Sequence, residues 1–317
     1  MLAHPVMLLR RWPVGSFFAL AYLLSWSWWI PIAATGGTVR GGDPWPTHMP
    51  GLLGPLLAAI LITAAGGGRA AVAGYLRRLL RWRGGWRTLL LALSPLAMLG
   101  LGLGVARLSG QPAVRWTDLS VISGLPAAVL PMLVGLIVLN GFGEEGGWRG
   151  FAQERLQLRH GPVRAALITA LAWAGWHAPL FVILASFRGF SPATLPGFFL
   201  GMLAGALVLA YVYNAAGGGI AAAALWHVAY NLSSASAAAS GLVAAIATTA
   251  VMVWAAVLLI RSWHATRRGA PAPLLAGRMP PGDPAARQAG SEPGPGPRIQ
   301  GRVALPPDAR ATRNSIP

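Results

Sequence analysis

The sequence has no cysteine, no lysine and only eight acidic residues among 317. The absence of cysteine excludes a disulfide scaffold, a thiol nucleophile and any thiolate metal site. Charged residues make up 10% of the chain, against about 25% in soluble globular proteins, so an ordinary water-soluble fold is excluded too. All 25 basic residues are arginine, which is typical of a GC-rich coding sequence. The net charge of +17 therefore does not indicate nucleic-acid binding.

Apolar residues make up 55% of the chain and occur in long blocks. A block of roughly 18 or more apolar residues is long enough to cross a bilayer as a helix. The sequence therefore predicts an all-α fold, a polytopic membrane bundle of about eight transmembrane helices embedded in the lipid bilayer. The predicted spans are residues 14–34, 51–66, 88–106, 122–141, 162–186, 195–215, 217–232 and 237–260.

The placement of arginine predicts the orientation of the bundle. Six arginines lie between the second and third predicted spans, four lie around the connection between the fourth and fifth, and nine follow residue 260. The alternate connections hold at most two each. Because positive charge marks the cytoplasmic side, we expect a multi-pass protein of the cell membrane with both termini in the cytoplasm. An even number of spans agrees with this orientation.

Composition divides the chain into two parts. Residues 1–263 carry every apolar block and form the predicted transmembrane domain. Residues 264–317 are rich in Pro, Gly and Arg and have no apolar periodicity, so they are predicted to be a disordered cytoplasmic tail. Within the first part, residues 67–87 alternate arginine with leucine, tryptophan and tyrosine. This pattern is typical of an interfacial helix on anionic lipid, or of a loop that only sets topology.

Two adjacent carboxylates, Glu144 and Glu145, lie at the predicted inner end of the fourth span. Ionisable groups at membrane depth are costly and usually serve a function. In a continuous helix Glu145 and Arg149 share one face and can pair, whereas Glu144 points about 100° away. We therefore assign Glu145 and Arg149 to structural support and Glu144 to chemistry. The alternative is a membrane-edge ion pair beside one snorkelling carboxylate.

Two of the six histidines, His177 and His227, fall inside predicted spans. A single buried histidine is more often a satisfied hydrogen-bonding group than a ligand. Two on different spans, with a carboxylate pair on a third, are harder to explain as packing. Asn231 shares a helix face with His227, and Trp173 lies four residues before His177, where its ring can line the imidazole. The sequence predicts that these side chains converge in the inner half of the membrane.

Three motifs in order carry a family resemblance: Glu144-Glu145-x-x-x-Arg149, Trp173-x-x-x-His177 and His227-x-x-x-Asn231. The set resembles the CPBP family of intramembrane proteases, which includes type II CAAX prenyl endopeptidases and bacteriocin-processing or self-immunity proteins. The resemblance covers roughly residues 122–234, the expected catalytic core. The sequence around the motifs is similar to that of bacterial members, which implies that the protein lies in a bacterial plasma membrane. Trp173 departs from the family, because phenylalanine is usual at that position.

The resemblance implies hydrolysis of a peptide bond in a membrane-embedded or membrane-bound peptide or protein. Glu144, helped by His177, would activate water as a general base, and His227 and Asn231 would donate to the oxyanion. Glu144, His177 and His227 also form a plausible two-histidine, one-carboxylate Zn²⁺ set. A metalloprotease and a metal-free glutamate protease are therefore both open, and we favour a metal-assisted site slightly.

Two other functions are compatible with the sequence. A non-catalytic immunity or scaffold protein would keep the same residues for folding and bind a partner in the bilayer. A proton-coupled transporter would use intramembrane Glu and His as a relay. The predicted spans show no inverted repeat, which is the usual sign of secondary transporters, so transport is the weakest of the three hypotheses.

Overall fold

The computed structural model describes Met7, Leu9 and residues 11–269. Within these residues the chain forms helices and three isolated β-bridges but no strand, which confirms the predicted all-α class. The helices are α1 Pro13–Ala34, α2 Gly54–Leu79, α3 Gly85–Leu108, α4 Val129–Gly135, α5 Gly143–Gly147, α6 Glu154–Trp176, α7 Leu180–Ile183, α8 Ala185–Arg188, α9 Leu195–Ala215, α10 Ile220–Ser234 and α11 Leu242–Arg267.

Six helical runs in the described part of the chain are long and apolar enough to cross a membrane, against the eight predicted. They are Pro13–Ala34, Met49–Leu79, Gly85–Leu108, Val129–Trp176, Leu195–Ala215 and Leu242–Arg267. The fourth and fifth predicted spans fall in one run, and the predicted seventh is the 15-residue helix α10, which is short for a membrane span. The count of eight is therefore not confirmed.

The run Val129–Trp176 folds back on itself at Gly161. This glycine has φ 74° and ψ 167°, a left-handed region that glycine enters at little cost. Glu144 and Trp173, on opposite sides of the bend, are hydrogen-bonded although they are 29 residues apart. A straight helix would separate them by roughly 44 Å. The reversal is what brings the first and second motifs together.

Helix α2 bends in the same way at Gly68, with φ 64° and ψ −159°. A side chain added at Gly146 would meet both Leu56 and Tyr75, which lie on opposite sides of this bend. The arm after the bend buries Tyr75 in the bundle, and its Arg78 pairs with Glu154 at 2.9 Å. Residues 69–79 therefore pack against the protein, and neither interpretation of this segment from the sequence foresaw that.

The arginine-poor connections meet at one end of the bundle. Three isolated β-bridges tie them together, between Val39 and Leu184, Gly41 and Ser123, and Ile122 and Ser236. At the other end α11 continues to Arg267, so the first residues of the predicted tail extend the last helix. The remainder of that predicted tail, from residue 270, lies outside the described residues.

A cluster of buried aromatic rings joins α1 to the helices that carry the motifs. Trp29 and Trp176 have ring centroids 4.7 Å apart, and Trp148 lies 5.7 Å from Trp176 and 5.5 Å from Phe17. All four rings are fully buried, and edge contacts of this kind add to the gain from apolar burial. The Trp176 indole also donates to Ser25 Oγ at 2.7 Å, so α1 is fixed against α6 by packing and by a hydrogen bond.

Gly147→Ala is expected to lower the melting temperature. A Cβ at this position would lie 2.4 Å from Cβ of Pro55 and 2.6 Å from its carbonyl carbon, and overpacking of this kind costs about 1–3 kcal/mol. Gly100→Ala is the matched control, because Gly100 lies in α3 with no atom within 4 Å of the added methyl group. Thermal unfolding of both variants in detergent measures the effect, and equal melting temperatures would contradict the close packing.

Candidate active site

The adjacent glutamates lie in α5, between two π-helical segments, Leu136–Phe142 and Trp148–Gln153. In a π-helical turn each backbone hydrogen bond joins residues five positions apart, against four in an α-helix. Such turns are frequent at functional sites. All five residues of α5 are buried. The prediction from the sequence assumed a continuous α-helix, so the π-helical flanks were missed, and no local sequence signal marks them.

Glu145 is fully buried and binds two partners through one oxygen. Its Oε1 accepts from Arg149 Nη1 at 2.9 Å and from His227 Nδ1 at 2.7 Å. The first contact confirms the ion pair predicted from the four-residue spacing. The second was not predicted, because His227 was expected to donate to the oxyanion or to bind a metal ion together with Glu144 and His177. Since an ionised carboxylate only accepts hydrogen bonds, His227 carries its hydrogen on Nδ1, and Nε2 is left for another partner.

Glu144 is only 2% exposed and is held by two side-chain donors. The Trp173 indole Nε1 donates to its Oε2 at 2.8 Å, and Asn140 Nδ2 donates to Oε1 at 3.4 Å. Glu145 lies next to it in the chain but takes different partners. The adjacent carboxylates thus have separate environments, as the helix geometry predicted.

His177 follows directly after α6, at the C-terminal cap. Its Nδ1 lies 2.7 Å from the carbonyl oxygen of Trp173. Because a carbonyl oxygen can only accept, Nδ1 is the donor, and the neutral ring presents Nε2 as an acceptor. The ring packs edge-on against Trp176, with centroids 5.0 Å apart. Backbone and packing therefore fix both the tautomer and the orientation of this imidazole.

The side chain of Trp173 contacts four members of the candidate site: Glu144, Arg149, His177 and His227. Its ring centroid lies 5.3 Å from that of His177 and 5.6 Å from that of His227. Arg149 Cζ lies 5.0 Å from the same ring, and the indole N–H reaches Glu144. The sequence predicted only that this ring would line His177, so its central position and its donor role were missed.

Asn231 lies one turn beyond His227 on α10, as the spacing predicted. It is partly exposed, whereas His227 is 5% exposed. The structure thus brings together Glu144, Glu145, Arg149, Trp173, His177 and His227, and it places Asn231 at the edge of the group.

The zinc set predicted from the sequence stays a prediction. Among the residues that the structure describes, no group of three His, Asp or Glu side chains is placed so that it could hold a metal ion. Both predicted histidine ligands use Nδ1 in a hydrogen bond, His177 to the Trp173 carbonyl and His227 to Glu145, which leaves Nε2 of each ring unassigned. Metal analysis of the purified chain tests the set of Glu144, His177 and His227.

A cluster of five phenylalanines beside His177 escaped the sequence analysis. Phe187 lies 6.2 Å from the imidazole, nearly parallel to it, and contacts Phe181 and Phe198 at 5.1 Å each. All are half-buried or more exposed, so the cluster presents apolar ring surface next to the site. The sequence signal was the high density of phenylalanine in residues 181–199. It is hard to recognise, because phenylalanine is expected in any apolar membrane segment. The members are Phe181, Phe187, Phe190, Phe198 and Phe199.

His48 lies in the connection before α2, yet it is only 4% exposed. Burial, together with the smaller effect of His177, lowers its pKa to about 3. The ring is therefore neutral at physiological pH. The backbone oxygen of His48 accepts from the buried Trp29 indole at 2.7 Å, so the connection before α2 is drawn into the bundle near the second motif.

Residues 126–233 match the family model described as type II CAAX prenyl endopeptidase Rce1-like. The match spans all three motifs and coincides with the core expected from them. It confirms the CPBP resemblance, in that this part of the chain is similar to a CAAX-protease-type domain. No curated protein matches the chain.

Proposed function

Taking residues 126–233 as a domain of the Rce1-like CAAX protease family, we propose that this protein is an intramembrane endopeptidase. It hydrolyses a peptide bond of a membrane-associated peptide or protein. The observation that carries the proposal is the contact of Trp173 with Glu144, His177 and His227. Three motifs separated along the chain converge on one indole ring in a buried setting.

Glu144 is the proposed general base. It takes a proton from water as the oxygen of that water attacks the scissile carbonyl carbon, and it then returns the proton to the leaving amine. Positioned proton transfer of this kind contributes about 10²–10⁴-fold. Its hydrogen bonds from Trp173 and Asn140 hold the carboxylate in one orientation, which supports this role.

His177 is proposed to orient the same water. Its Nδ1 hydrogen is used by the Trp173 carbonyl, so the neutral ring offers a lone pair on Nε2. A second acceptor beside Glu144 directs one hydrogen of the water and leaves an oxygen lone pair aimed at the substrate. Fixing reactants in this way lowers the entropy cost of the attack.

His227 and Asn231 are the proposed donors to the tetrahedral oxyanion. The contact of Glu145 with Nδ1 orients the ring, as carboxylates do for histidines in other hydrolases. Nε2 then donates only when the ring is protonated, and Glu145 stabilises that cation. Asn231 supplies a neutral amide donor one turn away. Preorganised donors of this type are each worth about 10²–10³ in rate.

The phenylalanine cluster supports an apolar substrate. It lies beside His177 and exposes ring faces, and such a surface binds apolar groups through the hydrophobic effect. The proposed substrate therefore presents apolar residues or a membrane segment close to the cleaved bond.

The purified chain, reconstituted in liposomes with membrane-anchored peptides, is expected to cleave them, with products identified by mass spectrometry. His177→Gln is expected to reduce the turnover at least 10²-fold, since it removes the ring acceptor. Asp118→Asn, a change at an exposed carboxylate paired with Arg115 at 3.1 Å, is the control. A folded wild-type chain without cleavage would favour the immunity or scaffold function, and full activity in His177→Gln would contradict the assigned role.

A further inference from the structure

The indole N–H of Trp173 makes a hydrogen bond that a phenylalanine at this position could not make. It donates to Glu144 Oε2 at 2.8 Å, a length typical of a hydrogen bond to a charged acceptor. The side chain is 8% exposed and Glu144 is 2% exposed, so water competes little with this bond. The indole therefore holds the carboxylate by a buried hydrogen bond.

We propose that Trp173 is a positioning residue that fixes the Glu144 carboxylate for water activation through its indole N–H. This inference rests on the proposed function and adds a residue to it. Trp173 touches neither substrate nor water in the proposed reaction but acts through Glu144. The indole occupies Oε2 of Glu144, and Oε1, which accepts only the longer bond from Asn140 at 3.4 Å, keeps a lone pair for the water.

The packing around the indole prevents other orientations of the ring. The two imidazoles contact it edge-on, with interplanar angles of 69° for His177 and 85° for His227. Arg149 lies against it at 5.0 Å, a distance at which a cation is attracted by the π-system. A rotated indole would lose these contacts together. These contacts therefore keep the indole N–H directed at Glu144, so the residues around the ring help to fix the position of the carboxylate.

The backbone of Trp173 orients His177, which is the second proposed acceptor for the water. Its carbonyl oxygen accepts from His177 Nδ1 at 2.7 Å, so one residue orients Glu144 through its side chain and His177 through its main chain. Substitution of the side chain removes only the first of these contacts. This separation allows the two roles to be measured apart.

The test is Trp173→Phe, which keeps an aromatic ring and removes the donor. We expect kcat to fall about 10-fold or more, because a hydrogen bond to a charged group is lost, with KM within about twofold of the wild type. Trp29→Phe is the matched control, because it removes an equally buried indole donor whose acceptor is the backbone oxygen of His48 at 2.7 Å. Its kcat is expected to stay at the wild-type value.

Replacing Trp173 by β-(3-benzothienyl)alanine, in which sulfur stands in place of N–H, separates the hydrogen bond from ring size. The same loss of kcat as in Trp173→Phe supports the inference, whereas wild-type kcat in the isostere overturns it and assigns the effect to packing. A thermal double-mutant cycle between Trp173→Phe and Glu144→Met, which removes the acceptor, adds a readout independent of turnover, and additive effects would also count against the bond. Absence of cleavage by the wild type would instead refute the proposed function.

Discussion

Glu144→Gln is expected to reduce peptide cleavage by about 10²–10⁴-fold while the protein stays folded. The substitution removes the proton acceptor and changes little else. The amide oxygen can still accept from Trp173, which now donates to Glu144 Oε2 at 2.8 Å. Because the buried site then carries one charge fewer, no new desolvation cost arises. Turnover in liposomes and the melting temperature, measured on the same preparation, test both parts.

The conservative change Asp118→Asn serves as the control for this experiment. Asp118 is an exposed acid at the arginine-poor end, and its hydrogen bond from Arg115 holds the pKa of that carboxyl below its usual range. Neutralising it changes the net charge by the same amount as Glu144→Gln does, away from the candidate site. Cleavage at the wild-type rate in Glu144→Gln would reject Glu144 as the base.

Glu145→Gln is expected to lower protein abundance and melting temperature strongly. Glu145 and Arg149 are both fully buried and joined at 2.9 Å. Removing one charge of such a pair leaves the other uncompensated, which costs about 3–5 kcal/mol. His227 also loses a charged acceptor at 2.7 Å, so turnover per folded molecule is expected to fall as well. Membrane abundance, thermal unfolding and specific activity separate these effects.

The double variant Glu145→Gln/Arg149→Met is the informative control. It removes both charges, and replacing a buried pair by apolar or neutral groups is often close to neutral in stability. Recovery of the melting temperature without recovery of turnover would assign stability to the pair and orientation of His227 to Glu145. Unchanged abundance of Glu145→Gln together with lost turnover would reverse the roles of the two glutamates.

Local spacing predicted the contacts that lie within one helix. The pair Glu145–Arg149 and the shared helix of His227 and Asn231 follow from the 3.6-residue period. Apolar block length predicted the helical class and, for residues 195–215, the observed helix. Each of these depends on neighbours within a few positions, which is the information that a single sequence holds most directly.

Contacts between residues far apart in the sequence could be identified only from the structure. The bond of Trp173 to Glu144 spans 29 residues, and that of His227 to Glu145 spans 82. The first depends on the reversal at Gly161, which the sequence marked only as a connection between spans. The pairing of His227 with Glu145 depends on helix rotation within the bundle, which residue spacing does not encode.

The predicted count of eight spans is not confirmed, for a related physical reason. Hydropathy measures whether a segment tolerates lipid, but it does not distinguish a helix in lipid from one surrounded by protein. Helix α10 is apolar, with most of its residues buried, and at 15 residues it is stabilised by its neighbours. The arm of α2 after Gly68 carries arginines, yet it packs Tyr75 onto the carbonyl of Gly146 at 2.7 Å.

The glycines of α5 have a consequence for how a substrate reaches the carboxylates. Side-chain atoms at Gly143 and Gly147 would collide with the backbone at Leu52 and Pro55, so this flank of the acidic helix is sealed by main chain against main chain. A polypeptide cannot thread through such a seam. We therefore expect the substrate of the proposed protease to reach Glu144 from another side, so residues that carry no side chain restrict its direction of entry.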